Sequence, residues 1–161
     1  MTREIIGFLM LSMVAVIALL IWRSVRKRRA KQEGQLSQPL QATSPGVYDS
    51  FYVSTVFDAA PLERVWAHGL AMRGKAKLAV DRAGISVNRT GERGFLIPTQ
   101  AILSLDTASA TIDKGVEKNG LTVIRWSLGD TQVASHFRFT NPRVRKEFEE
   151  RVSLAIGDQR G

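Results

Sequence analysis

The sequence predicts a single N-terminal transmembrane helix followed by a β-rich α+β domain of about seven antiparallel strands, closed by one C-terminal helix. Three observations support this fold class. Residues 5–22 form an uninterrupted apolar run. Residues 48–139 contain short stretches of β-branched and aromatic residues separated by turn signals, which is typical of antiparallel strands. Residues 141–157 repeat apolar side chains at helical spacing.

The apolar run, IIGFLMLSMVAVIALLIW at residues 5–22, has eighteen residues with neither charge nor proline. As a helix it is about 27 Å long, close to the ~30 Å hydrocarbon core of a bilayer. A cleavable signal peptide carries its positive charges before a shorter apolar core and a small-residue cleavage site after it. Here the charges follow the run, so we predict a membrane span over residues 5–22, preceded by a short extracytoplasmic N-terminus at residues 1–4.

A basic cluster follows the span within residues 23–31, whereas only Arg3, offset by Glu4, precedes it. Because cytoplasmic flanks carry the excess of Lys and Arg, the N-terminus is expected outside and the remaining chain in the cytoplasm, at the inner or plasma membrane. Such a cluster also attracts anionic lipid headgroups, although fixing the orientation explains it equally well. The six members of this predicted membrane-surface cluster are Arg23, Arg26, Lys27, Arg28, Arg29 and Lys31.

The net charge of +8 does not indicate a nucleic-acid-binding protein. From residue 32 onward the chain carries 16 basic and 14 acidic residues, so most of the excess charge lies beside the membrane. A nucleic-acid interface requires a basic surface on the domain itself. The chain has no cysteine, which excludes a disulfide scaffold and thiolate metal sites.

Residues 32–47 are rich in Gln, Ser, Pro and Gly and predict a flexible linker with a reach of roughly 20 Å. The domain follows at residues 48–157, with a short tail at 158–161. Residues 58–74 have no clean period and are interpreted as a long connection with room for one helical turn. The predicted strands cover residues 48–57, 75–80, 85–89, 95–98, 101–108, 121–128 and 131–139.

Alternation along these strands predicts a sheet with one covered face and one wetter face. Leu103 and Leu105 are expected to share a face. His136 is expected on the wetter face, and Gly129-Asp130 suits a tight hairpin loop. The residues expected to face the core are Ile85, Val87, Ile124, Trp126, Leu128, Val133, Phe137 and Phe139.

The C-terminal helix has clear start and stop signals. Asn141 can cap it, Pro142 fits its first position and Gly157 supplies its stop. Such a short helix is not stable alone and needs the sheet to cover its apolar stripe. The stripe consists of Val144, Phe148, Val152 and either Ala155 or Ile156.

The sequence carries none of the signatures of a nucleophile elbow, a phosphate-binding loop, a dinucleotide fold or a zinc protease. Its two histidines, His68 and His136, lie in different elements without an acidic or thiolate ligand set. We therefore expect neither an enzyme nor a cofactor or metal site.

Four segments carry a resemblance to a known family: AHGLAMRGKAKLAV, FLIP, VEKNGLTVIRWSLGD and HFRF. Through them the chain resembles single-pass actinobacterial membrane proteins with a bacterial pleckstrin-homology-like (PH-like) domain, over residues 52–155. Such proteins are often loosely labelled exporters or transporters. The resemblance implies two orthogonal sheets whose open corner is closed by the C-terminal helix, where Phe148 stands in place of the tryptophan of eukaryotic PH domains.

The resemblance also implies a ligand site. Lys75 and Lys77 alternate and therefore project from one strand face. With Arg73 they are similar to the basic motif through which phosphoinositide-binding PH domains hold phosphates, and Arg64 and His68 are candidate helpers. Lys77 stands where the motif has arginine, which loses bidentate phosphate geometry. A solvated strand face explains the same residues more simply.

Together these observations predict a non-enzymatic, membrane-anchored PH-like interaction module that binds a protein partner or an anionic lipid headgroup at the cytoplasmic membrane face. Nucleic acid is not expected as a partner. The alternative is an accessory subunit of a membrane transport, export or envelope-synthesis complex. One span cannot enclose a substrate path, so a transport role requires partners.

Overall fold

The structure, a computed structural model, describes residues 2–44, 46–108 and 120–157, so the predicted tail lies outside the described residues. Helix α1 runs without a break over Thr2–Glu33. The helix continues beyond residue 22 because residues 23–33 are mainly good helix formers such as Arg, Lys, Ala, Gln and Glu. It ends before Gly34, whose amide donates to the carbonyl of Ala30 at 3.3 Å.

Within α1, the segment Ile5–Glu33 is long and apolar enough to cross a membrane, and its eighteen-residue apolar window has a mean hydropathy of 2.8. None of its apolar window is buried against the rest of the described chain. The helix is therefore not the core helix of the domain. A helix of this composition near an N-terminus is either a membrane span or a signal sequence.

The described chain contains the strands β1 Tyr48–Phe57, β2 Ala60–Arg64, β3 Gly74–Val80, β4 Gly84–Arg89, β5 Phe95–Pro98, β6 Ile102–Ala108, β7 Leu121–Leu128 and β8 Thr131–Arg138. They form one antiparallel sheet in the order β5-β4-β3-β1-β8-β7-β6, while β2 pairs with β1. The predicted fold class is confirmed, and β1 joins the two halves of the sheet.

The structure corrects two expectations about individual strands. The connection 58–74 contains β2 as well as a short 3-10 turn at Ala67–Gly69. Leu62 of β2 is 82% exposed, and a strand that buries so little leaves no alternating pattern in the sequence. Leu103 is exposed whereas Leu105 packs on the core, because a register shift near Ile102 breaks the alternation.

Helix α2, Pro142–Gly157, closes the sheet as predicted. The Asn141 side chain caps it by accepting a hydrogen bond from the amide of Arg143 at 2.9 Å. Phe148 and Val152 of its stripe are fully buried. The helix packs against β1, β3, β6 and the 3-10 turn at Thr99–Ala101. Since β3 and β6 lie on opposite sides of β1, the sheet curves to bring both halves under one helix.

A chain of buried hydrogen bonds crosses the core. The Trp126 indole donates to the Ser135 hydroxyl at 2.9 Å, and that hydroxyl lies 2.7 Å from the Thr55 hydroxyl. The Tyr52 hydroxyl lies 2.7 Å from Thr55 Oγ1 and donates to the carbonyl of Leu70 at 2.6 Å. The chain links β7, β8 and β1 to the connection before β3.

The segment after α1 packs along the domain, unlike the flexible linker that its composition predicts. Leu36 is 7% exposed and belongs to the core, and Leu40 forms a backbone bridge with Leu96 of β5. The Ser44 hydroxyl donates to the Asp81 carboxylate at 2.7 Å. A polar segment loses conformational entropy when it is ordered along the domain. Here the burial of Leu36 and the pairing with the β5 edge offset that loss.

Candidate interaction grooves

Lys75 and Lys77 project from β3 as predicted, and both are exposed. In the ladder with β1, Lys75 lies opposite Phe51 and Lys77 opposite Asp49. The Lys77 ammonium is 3.5 Å from Asp49 Oδ1, in a pair whose side chains are 66% and 86% exposed. Exposed pairs of this kind contribute little stability, which leaves both groups available to a partner.

A groove of about 690 Å³ lies between β1, β3 and the first turns of α2, and we call it the distal groove. Tyr48 holds one edge of this groove in place. The Tyr48 hydroxyl donates a hydrogen bond to Glu147 of α2 at 3.4 Å, and the centroids of the Tyr48 and Phe148 rings are 5.6 Å apart. Burial, together with Glu147, raises the pKa of Tyr48. The apolar part of the lining includes Val47, Phe51 and Val144, and the charged part consists of Asp49, Lys75, Lys77 and Glu147.

The charges of the distal groove balance, since two lysines face two carboxylates. A phosphate is attracted by Lys75 and Lys77 and repelled by Asp49 and Glu147. A lining with apolar side chains and charges of both signs matches the surface of a protein segment better than a phosphate headgroup. Within residues 2–44, 46–108 and 120–157 no three His, Cys, Asp or Glu side chains converge on a metal-sized site.

The three other candidate residues lie elsewhere. Arg73 immediately precedes β3 and does not line the distal groove. His68, in the 3-10 turn, has the left-handed φ of 54° and lines a separate cleft beside Arg29 and Glu33 of α1. Arg64 ends β2 and lines a second groove, described next. The structure therefore keeps the lysine pair together and separates it from the predicted helpers.

The second groove, which we call the anchor groove, has a volume of about 1040 Å³ and lies between the end of α1 and β2. Lys75 lies opposite Phe51, and Phe57 of the same strand lines the anchor groove. At ~3.3 Å per residue, the lysine pair is therefore about 20 Å from this groove along β1. The anchor groove is lined by Arg28 and Lys31 of α1, by Leu62, Glu63 and Arg64 of β2, and by Trp66.

Gln32 joins α1 to the domain. Its side-chain oxygen accepts hydrogen bonds from the backbone amides of Trp66 and, at 3.1 Å, Ala67, and the residue is 8% exposed. The His68 ring nitrogen is 3.4 Å from the carbonyl of Leu36, which itself lies in the core. Helix α1 therefore ends in a docked position beside the 3-10 turn.

Arg89 is a buried residue that sequence reasoning missed. Its guanidinium donates to the carbonyl of Gly69 at 2.8 Å and twice to the carbonyl of Arg93, and it lies over the Tyr52 ring at 5.1 Å. Burial lowers its pKa. The sequence does contain a signal for this burial, because Arg89 lies two residues after the inward-facing Val87 and therefore on the same face of the strand. Arg89 ties the 3-10 turn to the β4–β5 connection.

The face of the sheet that lies away from α2 is less wet than predicted. His136 is 7% exposed there, beside a small cluster of Val56, Val123 and Ala134. Its Nδ1 has no hydrogen-bond partner. Burial lowers the pKa of His136, and Arg125 adds to this effect. The same face carries an ion-pair network in which Arg125 contacts Asp58 at 2.8 Å and also contacts Asp106.

Comparison with known families agrees with this architecture. The sequence profile of the bacterial PH domain-like family matches residues 33–153, from the end of α1 to within α2. No curated protein matches the chain. PH-like domains are generally non-catalytic modules that mediate protein or lipid interactions. Because the match covers all eight strands and most of the chain, this protein belongs to the bacterial PH domain-like family.

Proposed function

We propose that this protein is a non-enzymatic, membrane-anchored interaction module whose distal groove binds a segment of a partner protein at the cytoplasmic membrane face. The observation that carries the proposal is the lining of the distal groove, with apolar side chains and balanced charges. Anchoring raises the local concentration of the module, so a weak groove can still be well occupied by another membrane protein.

The carboxylates of the distal groove favour a protein partner over an anionic headgroup at this position. Asp49 is 3.5 Å from the Lys77 ammonium and already neutralises part of its charge. Glu147 lines the same groove. A headgroup phosphate has to displace or overcome both carboxylates, whereas a peptide can pair with charges of either sign.

Anchoring by α1 is supported by its continuity with the domain. The helix is unbroken from the apolar run to Gln32, which is itself bonded to the domain. The basic residues after the span favour an orientation in which residues 23–161 lie in the cytoplasm. A test is Ser153→Cys in this cysteine-free chain, with Thr2→Cys as the control. An impermeant thiol reagent is expected to label position 2 in intact cells and to leave position 153 unlabelled; labelling at 153 contradicts the orientation.

Partner binding is tested by purifying the full chain from its own cells in mild detergent. We expect a partner at fixed stoichiometry that is lost from the variant Lys75→Glu with Lys77→Glu. The matched control is Arg82→Glu with Lys146→Glu, which changes the charge equally at exposed positions outside the distal groove.

Three outcomes decide between the interpretations. Retention of the partner by the lysine variant rules out the distal groove as its binding site. If no partner co-purifies and the lysine variant instead loses binding to anionic vesicles, the groove binds headgroups. If the partner belongs to a transport or envelope-synthesis machine, the module is an accessory subunit of that complex.

A further inference from the structure

We propose that the anchor groove binds the headgroup of an anionic phospholipid from the leaflet at which α1 leaves the membrane. The site combines Arg28 and Lys31 of the anchor helix with Arg64 of β2, which are far apart in sequence and line one groove. This inference rests on membrane anchoring by α1 but is independent of partner binding at the distal groove.

Charge favours an anion at this position. The groove lining contains three cationic side chains and one carboxylate, that of Glu63. This excess differs from the balanced lining of the distal groove. Arginine is also well suited to phosphate, because its planar guanidinium can donate two parallel hydrogen bonds.

Geometry places the groove next to the bilayer. Trp22, at the end of the apolar run, is six residues before Arg28, so Arg28 lies about 9 Å beyond it along the helix. The headgroup layer extends roughly 5–8 Å beyond the hydrocarbon core. A long basic side chain can reach back into that layer.

Docking at Gln32 keeps the domain at this distance. The Gln32 side chain is bonded to the amides of Trp66 and Ala67, which holds β2 and Trp66 beside the last turns of α1, where Arg28 and Lys31 line the groove. Leu62, which is 82% exposed, and the partly exposed Trp66 also line the groove and provide an apolar surface for the glycerol and upper acyl region of a lipid.

The test uses the full chain in neutral detergent, titrated with short-chain phosphatidylglycerol or phosphatidylcholine, with bound lipid counted by native mass spectrometry. We expect the wild-type protein to prefer phosphatidylglycerol. In the variant Arg28→Gln with Lys31→Gln, the preference for phosphatidylglycerol over phosphatidylcholine is expected to fall about five-fold for each charge removed. Arg64→Gln, which removes a single charge, is expected to lower the preference about five-fold.

The matched control is Arg26→Gln with Lys27→Gln, which removes two charges from the same helix at positions outside the anchor groove. This control is expected to keep most of the preference. Equal losses in the two helix variants, or equal binding of the two lipids by the wild-type chain, overturn the discrete site and leave only diffuse attraction. Arg28 and Lys31 lie on the helix outside the domain core, so their variant remains informative if Arg64→Gln fails to fold. Flotation of the full chain with neutral vesicles tests the anchoring separately.

Discussion

The Tyr52 hydroxyl has a defined direction of hydrogen bonding. Its bond to the Leu70 carbonyl requires it to donate, so it accepts from Thr55. Thr55 then accepts from Ser135, which accepts from the Trp126 indole. Because an indole can only donate and a carbonyl can only accept, each hydroxyl between them donates once and accepts once.

Removal of one member of this chain leaves each of its neighbours with one hydrogen bond fewer. We expect Tyr52→Phe to lower the free energy of unfolding by about 1–3 kcal/mol, because the buried Thr55 hydroxyl loses its acceptor. The Leu70 carbonyl also loses one of its two donors and keeps only the Thr55 amide, at 2.9 Å. The control is Tyr48→Phe, whose hydroxyl makes a 3.4 Å, partly exposed bond to Glu147 and is expected to cost less than about 1 kcal/mol. Urea unfolding in mild detergent measures both; equal losses contradict the proposed chain.

His136 is expected to make stability depend on pH. Its folded-state pKa is lowered by burial, so the unfolded chain takes up a proton near pH 6.5 that the folded chain does not. Its contribution to stability is therefore present above about pH 6.5 and is lost as the pH falls towards the folded pKa.

We expect the free energy of unfolding to fall between about pH 7 and about pH 5, and His136→Leu to reduce that fall. Asp81 provides a contrast, because the Ser44 hydroxyl lowers the pKa of its carboxyl and its effect appears only below about pH 4. An unchanged pH profile in His136→Leu excludes His136 as the source.

At the scale of elements, residues 34–44 behave as part of the domain. Leu36 lies in the core, and the Leu40–Leu96 bridge covers part of the outer edge of β5. An uncovered strand edge is a site of unwanted pairing, so this segment also protects the sheet. The family match, which begins at residue 33, includes this segment with the domain.

Leu36→Ala is expected to lower the free energy of unfolding by roughly 2–5 kcal/mol, because it removes a buried side chain from the core. The same substitution at Leu154, which is 74% exposed on α2, is the control and is expected to change it by less than about 0.5 kcal/mol. Urea unfolding of the full chain compares them. If Leu36→Ala leaves the free energy of unfolding unchanged, the docking of residues 34–44 on the domain is contradicted.

At the scale of the whole molecule, the docked end of α1 limits how the domain moves relative to the rest of this helix. A free tether lets a domain sample many distances from the membrane. Gln32 and Leu36 replace that freedom with one arrangement, which keeps the anchor groove at the junction of α1 and the domain and the lysine pair about 20 Å away along β1.

Spin labels at Lys27→Cys on α1 and Ser153→Cys on α2 test this arrangement. We expect a narrow distribution of label distances by double electron–electron resonance in the full chain. The variant Gln32→Ala with Leu36→Ala is expected to broaden the distribution, because both docking contacts are removed. A broad distribution of label distances in the chain that keeps Gln32 and Leu36 contradicts the docking of α1 on the domain.

Some features of this protein follow from the sequence alone. The apolar run, most strands and helix α2 were predicted because each carries a local signal: an uncharged stretch, an alternation of two residues or a capped helical stripe. The asymmetry of basic residues also predicts an orientation for a membrane span at residues 5–22, which stays a prediction.

Other features depend on contacts between residues distant in sequence, which periodicity does not report. Only the tertiary structure shows that Leu36 enters the core, that the Arg89 guanidinium donates to the carbonyl of Gly69 in the 3-10 turn, and that β2 pairs with β1. It also separates Arg64 from the lysine pair and joins it to Arg28 and Lys31, because strand register and helix docking decide which side chains meet.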